Sequence, residues 1–264
     1  MNLSQALFLG LVQGLTEFLP VSSSGHLVLL QNLMGLQEPE MLFDVAVHAG
    51  TLAAVLLFFR RDIGDMILGL ISSRPEGQRG RRLIWLVLAG SVPTAVIGLL
   101  FRHQFEALFS NILAVGCALL LTGFLLFFTA RVKPPRRNLE RTGPGRAALI
   151  GLAQGLAITP GISRSGATIS TAIFLGVERP LAAHFSFLLS IPAILGALAL
   201  QLKDLPPDGG PGWAVLVAGA LTAAVSGYLA LALLIRVVTQ GRLFWFAPYC
   251  WLAGLLAIGW SLWR

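Results

Sequence analysis

Charge is scarce in this chain: Asp, Glu, Lys and Arg make up 12% of its 264 residues, against 56% hydrophobic. Several of its apolar runs reach the length of about 20 residues needed to cross a bilayer. That combination excludes a solvated globular surface and points to an integral membrane protein. Cysteine is scarcer still, and Cys117 and Cys250 each stand alone inside an apolar run. Each thiol is expected to pack as a small hydrophobe, without ligand-like neighbours and without a message about redox compartment. No Lys or Arg precedes the first apolar stretch, residues 1–14, which argues against a secretory signal, so the N-terminus is expected to persist. The net charge of +7 does not imply nucleic acid. Its basic residues fall in loops between apolar runs rather than on one soluble face.

Six runs are long enough to span: residues 42–59, 83–101, 112–130, 182–202, 213–235 and 244–262. Two further apolar segments, 3–35 and 147–177, are cut midway by Pro20 with Ser22, Ser23, Ser24 and Gly25, and by Pro160 and Gly161 with Ser163, Arg164, Ser165 and Gly166. Each half is too short to cross alone, so both segments read as re-entrant helix hairpins whose broken backbone lies at membrane depth. The expected fold is an all-α integral membrane protein with six transmembrane helices plus two re-entrant hairpins.

The loops set the expected orientation, because Lys and Arg accumulate on the cytoplasmic side. Arg60, Arg61, Arg74, Arg79, Arg81 and Arg82 crowd one loop, and Arg131, Lys133, Arg136, Arg137, Arg141 and Arg146 a second. Arg236 and Arg242 mark a third, whereas the alternate loops, near 102–110 and 203–212, are poor in base. The first hairpin then enters from outside and the second from inside. Shifted by 141 positions, Leu11, Gln13, Gly14, Leu15, Ser22, Ser24 and Gly25 meet Leu152, Gln154, Gly155, Leu156, Ser163, Ser165 and Gly166. Three spans follow each hairpin, and an odd number inverts the second unit, so the chain reads as an inverted-topology repeat. The expectation is one membrane domain, 1–264, made of repeat one (1–130), a cytoplasmic linker (131–146) and repeat two (147–264). Gly10, Gly14, Gly151 and Gly155 are spaced for close helix approach.

Polar residues in the breaks carry the chemistry. Gln13 and Glu17 are four apart and share a helix face just before Pro20, and an ionisable group at that depth is a functional candidate. Ser22, Ser23 and Ser24 offer hydroxyls and N-caps to a new half-helix with His26 on its first turn, whose free amides favour an anion such as phosphate. A hydroxyl, an imidazole and a carboxylate together can perform nucleophilic and acid–base chemistry. The second break places Arg164 where the first has Ser23, and Ile158 where it has Glu17. The Arg164 fork suits phosphate oxygens, with Ser163, Ser165 and Thr168 as further donors; pairing Arg164 with Glu17 as a buried ion pair is the structural alternative. Asp44 and His48, four apart near the outer end of a span, either support this site from behind or snorkel to the interface.

The stretches Gln-Gly-Leu-Thr-Glu-Phe-Leu-Pro-Val-Ser-Ser-Ser-Gly-His, 13–26, and Pro-Gly-Ile-Ser-Arg-Ser-Gly-Ala-Thr, 160–168, resemble the two signature motifs of the undecaprenyl-diphosphate phosphatases, the bacitracin-resistance family. Length, span order and repeat extend the resemblance over nearly the whole chain. Gln13 stands where many members have a second Glu, which leaves one fewer carboxylate for a metal. The resemblance implies hydrolysis of undecaprenyl diphosphate to undecaprenyl phosphate and inorganic phosphate at the outer face of a bacterial plasma membrane. That reaction recycles the lipid carrier for peptidoglycan and other envelope polymers and confers bacitracin resistance. It also implies dependence on a divalent cation, Mg or Ca, with Glu17 and Gln13 as its candidate ligands. On this expectation Arg164, Ser163, Ser165, Thr168, Gln13, Ser22 and Ser24 hold the diphosphate and Ser23 attacks. His26 accepts or relays the proton, with Glu17 either binding the cation or orienting His26, and His26 as the nucleophile is the alternative. The rival from another class is a polyprenyl-phosphate transporter or flippase, which could use the same broken helices. Unequal repeats favour the enzyme, because Glu17, Ser23 and His26 face Ile158, Arg164 and Ala167 across the repeat.

Overall fold

A computed structural model of the chain describes residues 1–34, 41–71, 77–109, 111–132, 138, 142–203 and 211–263, without the side chain of Asn32. The described residues are helical, with no β-strand among the elements they form. Helix α1, Leu3–Phe18, opens on a capping box in which Asn2 and Gln5 exchange hydrogen bonds. It closes ahead of Pro20, where Leu19 takes the extended conformation that a following proline imposes. After the break come α2 (Ser23–Leu33), α3 (Met41–Phe58) and α4 (Arg60–Ile71). The first half continues through α5 (Gln78–Leu100), α6 (Arg102–Phe109) and α7 (Ile112–Phe128). The second half repeats the pattern with α8 (Pro144–Leu156), a break, α9 (Arg164–Phe174), α10 (Arg179–Lys203), α11 (Trp213–Thr239) and α12 (Ala247–Trp263).

Six of these helices are long and apolar enough to cross a membrane: α3, α5, α7, α10, α11 and α12. They coincide with the six expected spans, although α5 begins at Gln78 and α11 runs on to Thr239. Their outward faces expose Leu99, Leu221, Val225, Leu229 and Leu255, an apolar surface suited to lipid rather than water.

Two stretches expected as loops are helical. Helix α4 gathers Arg60, Arg61, Asp62 and Asp65 at its start and exposes Ile67, Leu68, Leu70 and Ile71 further on, an amphipathic arrangement that a count of basic residues conceals. Arg79 ties it to α5 through Asp62 at 3.2 Å, and Gly69 and Gly80 let the two backbones meet. Helix α6 is closed by Arg102 on Glu106 at 2.7 Å, a bond that holds the Glu106 carboxyl below its usual range. Of the basic residues that set the expected orientation, Arg74, Lys133, Arg136, Arg137 and Arg141 lie outside the described residues.

Glycines decide how the helices that carry the site are packed. Helix α1 lies against α11, where a Cβ on Gly10 would stand 2.5 Å from the carbonyl oxygen of Gly219. Helix α8 lies against α5 in the corresponding way, and a Cβ on Gly151 would overlap the carbonyl of Gly90. Each half therefore docks its broken helix on the middle span of the other half. Helices α7 and α12 close the assembly through Gly116 and Gly254. A buried aromatic group, Phe18, Phe59 and Phe187, fills the centre, with Phe187 5.8 Å from Phe18 and 6.0 Å from Phe59.

Candidate active site

The two breaks meet. The N–H of Gly161 donates to Ser22 Oγ at 3.1 Å, so the turn of one half is completed by the other. Ser22 is the one non-glycine residue with positive φ, 68°, among the described residues. That conformation costs a serine about 1 kcal/mol, and its surroundings hold it there. Its Oγ also receives the Gly25 N–H at 3.4 Å, and its carbonyl receives the N–H of His26 at 3.2 Å. An N-cap has extended backbone, so Ser22 caps α2 only in part, and its hydroxyl is committed to structure.

The second break is held from α7. Thr122 Oγ1 donates to the carbonyl of Gly161 at 3.0 Å and accepts the N–H of Ser163 at 3.1 Å. Ser163 is a true N-cap, accepting from Gly166 N at 3.1 Å, and its hydroxyl lies 3.2 Å from that of Ser165. Cys250 on α12 donates to the carbonyl of Pro20 at 3.3 Å. These bonds leave Arg164 as the first residue of α9, facing the end of α1.

Glu17 is the centre of the site. Its side chain is only 2% exposed, and it forms an ion pair through Oε1 with Arg164. Its other oxygen, Oε2, accepts from Ser23 Oγ at 2.6 Å and from Gln13 Nε2 at 3.0 Å. His48 Nε2 stands 3.9 Å from the same oxygen. Its ring is fixed by Nδ1–H donating to the carbonyl of Asp44 at 2.8 Å, and the Asp44 carboxylate accepts from Gln31 at 2.9 Å. His48 thus turns toward Glu17, while Asp44 meets it through the backbone and gives its carboxylate to Gln31. Ser24 reaches Ser22 at 3.4 Å, and Thr168 Oγ1 donates to the carbonyl of Arg164 at 2.8 Å.

His26 is the exception. Its Nδ1–H donates to the carbonyl of Ser22 at 2.8 Å, and its Nε2 accepts from the hydroxyl of Tyr249 at 2.6 Å. The two rings stack 5.7 Å apart, 10° from parallel. Neither nitrogen bonds Ser23 or Glu17, and the hydrogen bond of the Ser23 hydroxyl goes to the carboxylate. Position on the first turn of α2 is legible in the sequence; the tyrosine that draws the ring aside lies 223 residues away. Thr122 and Tyr249 carried no signal in a single chain, since neither lies in a motif.

Beside the Glu17–Arg164 pair is a small cavity lined by Phe18, Ser165, Thr168, Ser186, Phe187 and Ser190 as well as the pair itself. Helix α10 thus contributes two serines that the motifs do not contain.

A cation site built wholly from protein does not form here: among the described residues no three His, Cys, Asp or Glu side chains come together. The donors present are one carboxylate, Glu17, the Ser23 hydroxyl and Gln13 Oε1, a buried amide oxygen without a hydrogen-bond partner. An all-oxygen set with a single carboxylate fits a hard cation that takes its remaining ligands from phosphate and water.

The family model described as "Bacitracin resistance protein BacA" matches residues 6–256. Among similar proteins, the "Undecaprenyl-diphosphatase" of Desulforapulum autotrophicum is 47% identical over 270 residues, covering 98% of each chain. That of Carboxydothermus hydrogenoformans is 49% identical over 97% of this chain and 96% of its own. That of Desulfosudis oleivorans is 48% identical over 98% of this chain and 97% of its own.

Proposed function

This chain belongs to the bacitracin resistance protein BacA family, and from that premise we propose that it hydrolyses undecaprenyl diphosphate to undecaprenyl phosphate and inorganic phosphate at the Glu17–Ser23–Arg164 centre. The observation that carries this reading is the 2.6 Å hydrogen bond from Ser23 Oγ to a buried carboxylate whose other oxygen is held by Arg164. A serine hydroxyl is a weak nucleophile until a neighbouring base takes its proton. Glu17 is placed to take it. As Ser23 Oγ attacks the terminal phosphorus, its proton passes to Glu17 Oε2, the bridging P–O bond breaks and undecaprenyl phosphate departs.

Arg164 spends one Nη on Glu17, and its remaining N–H groups are available to the equatorial phosphoryl oxygens, where charge accumulates in the transition state. Gln13 and the Ser165 hydroxyl supply further donors, while Ser22 and Ser163 act by shaping the two turns. Glu17, Gln13 and Ser23 would hold a divalent cation, Mg or Ca, which when bound would neutralise part of the diphosphate charge. His48, held by the Asp44 carbonyl, orients Glu17 from behind. His26 serves the lipid-phosphate leaving group or the fit of α2 rather than Ser23 directly.

The site faces the outer side of a bacterial plasma membrane on this reading, with the basic loops cytoplasmic and the α1–α2 and α8–α9 hairpins entering from opposite sides as an inverted-topology repeat. The reciprocal docking of α1 on α11 and α8 on α5 supports the repeat. It also suits a lipid-phosphate carrier, but a carrier has no use for the Ser23–Glu17 bond, whose repeat counterparts are Arg164 and Ile158.

Phosphate release from a long-chain polyprenyl diphosphate by purified protein, with and without EDTA, tests the reading. Wild type should release phosphate, and Glu17→Ala should not. Trapped phosphoryl label should vanish in Ser23→Ala and persist in His26→Ala; the reverse pattern would transfer the nucleophile to His26. Well-folded protein that binds the lipid without cleaving it would move the assignment to the carrier.

A further inference from the structure

Hydroxyls buried in helices ordinarily satisfy themselves against the carbonyl one turn back. Ser91 donates to Val87 O, Thr222 to Ala218 O and Ser226 to Thr222 O, each at 2.7 or 2.8 Å. In the cavity beside Glu17, Ser190 donates to Phe187 O at 2.7 Å and Thr168 to Arg164 O. Ser186 does neither. Its residue is 3% exposed, its Oγ has no hydrogen-bond partner among the described residues, and it lines the cavity together with Glu17, Arg164 and Thr168. Ser170 is the other buried hydroxyl without a partner, and it stands outside the cavity.

A buried water requires two to four polar partners and about its own volume of space. This cavity has room for about one water, and Ser186, Glu17 and Thr168 are among the residues that line it. We propose that Ser186 is a positioning residue that holds the hydrolytic water of the site, an inference that rests on the phosphatase reading above. The oxygen of that water attacks the phosphorus carried on Ser23. The P–Oγ bond breaks and its electron pair returns to Oγ. Glu17 returns to Oγ the proton it took from Ser23 and takes one from the water, which it then releases to solvent, while the other water proton leaves on hydrogenphosphate. The Ser23 hydroxyl and the Glu17 carboxylate are restored and the oxygen of the water leaves in the phosphate, so no co-reactant beyond water is needed.

Ser186→Val and Ser186→Thr form an isosteric pair that differs by a methyl for a hydroxyl, and Ser186→Ala removes the hydroxyl without adding bulk. In detergent, with long-chain polyprenyl diphosphate as substrate, Ser186→Val should lose about 100-fold in kcat relative to Ser186→Thr, the loss that follows when a reacting group is misplaced. KM should fall together with kcat and leave kcat/KM near that of Ser186→Thr, since the hydroxyl serves the breakdown of the phosphoryl enzyme, after the step that commits the substrate. Phosphoryl label on Ser23 should accumulate in Ser186→Val and Ser186→Ala and turn over in Ser186→Thr. Equal kcat for the Val and Thr variants, or wild-type kcat in Ser186→Ala, would overturn the assignment. So would a rise in KM that accounts for the whole loss, because the hydroxyl would then bind substrate. Wild-type protein that releases no phosphate refutes the phosphatase reading and this inference with it, and is recognised before any Ser186 variant is made.

Discussion

Replacing Arg164 by Met should destabilise the protein far more than replacing Glu17 by Gln, although both changes break the same ion pair. The asymmetry comes from burial: the Glu17 side chain is 2% exposed and that of Arg164 is 25% exposed. Without Arg164 the carboxylate remains in a pocket with Ser23 and Gln13 as donors and His48 3.9 Å away, and removing one partner of a buried pair costs about 3–5 kcal/mol. Without the Glu17 charge, Arg164 can turn toward the opening, and the new amide still accepts from Ser23, so the loss is that of one charge-assisted bond, about 1.5–3 kcal/mol. Making both changes removes both charges and should recover much of the loss, because a buried pair replaced by neutral groups of similar size is often close to neutral. The assay is thermal unfolding in detergent, followed by the fluorescence of the six tryptophans. At about 2–4 °C per kcal/mol for a chain of this size, Arg164→Met should melt roughly 10 °C below wild type and above it the double variant should regain most of that interval. Equal losses for the two single variants, or a double variant that loses their sum, would refute the argument. All three variants should lack phosphate release, which separates the stability of the pair from its use.

Thr122→Val should strand the carbonyl of Gly161 and the N–H of Ser163, two buried backbone groups. It is expected to cost about 1–3 kcal/mol per stranded group and to lower kcat by shifting Arg164, as unfolding and steady-state kinetics together would register. Gly151→Ala drives a methyl into the Gly90 carbonyl and should separate α8 from α5, reducing the yield of folded protein. Gly145→Ala, on the same helix with open space around it, should instead stabilise by about 0.5–1 kcal/mol.

What the sequence makes legible follows from local rules. Span length, the Pro20 and Gly161 breaks, and the shared face of Gln13 and Glu17 need no knowledge of neighbours, and the described helices agree with them. The junction of Ser23, Glu17 and Arg164 was also within reach, because two related hairpins of equal depth should meet. Three features were not. Helix α4 was hidden because its arginines read as loop charge while its apolar face lies further along. The histidines exchange expected places: His26 shares a hairpin with Ser23 yet turns to Tyr249, while His48 arrives from another span and faces Glu17. Spacing within one helix fixes a face but not which neighbour stands before it. Ser186 is invisible for a related reason, since a serine that fails to bond its own helix looks the same in sequence as one that succeeds.

The bond between Gly161 and Ser22 has a consequence for the birth of the chain. Synthesis delivers the first break long before its partners exist. Until residue 161 has been made, the Ser22 hydroxyl lacks its counterpart, and until residue 250 has been made, so does the carbonyl of Pro20. Arg164 arrives equally late to the carboxylate it must neutralise. The nascent protein is therefore obliged to carry an unfinished, inert centre through most of its insertion into the bilayer. Only a chain made at least as far as Arg164 can assemble the Glu17–Ser23–Arg164 centre.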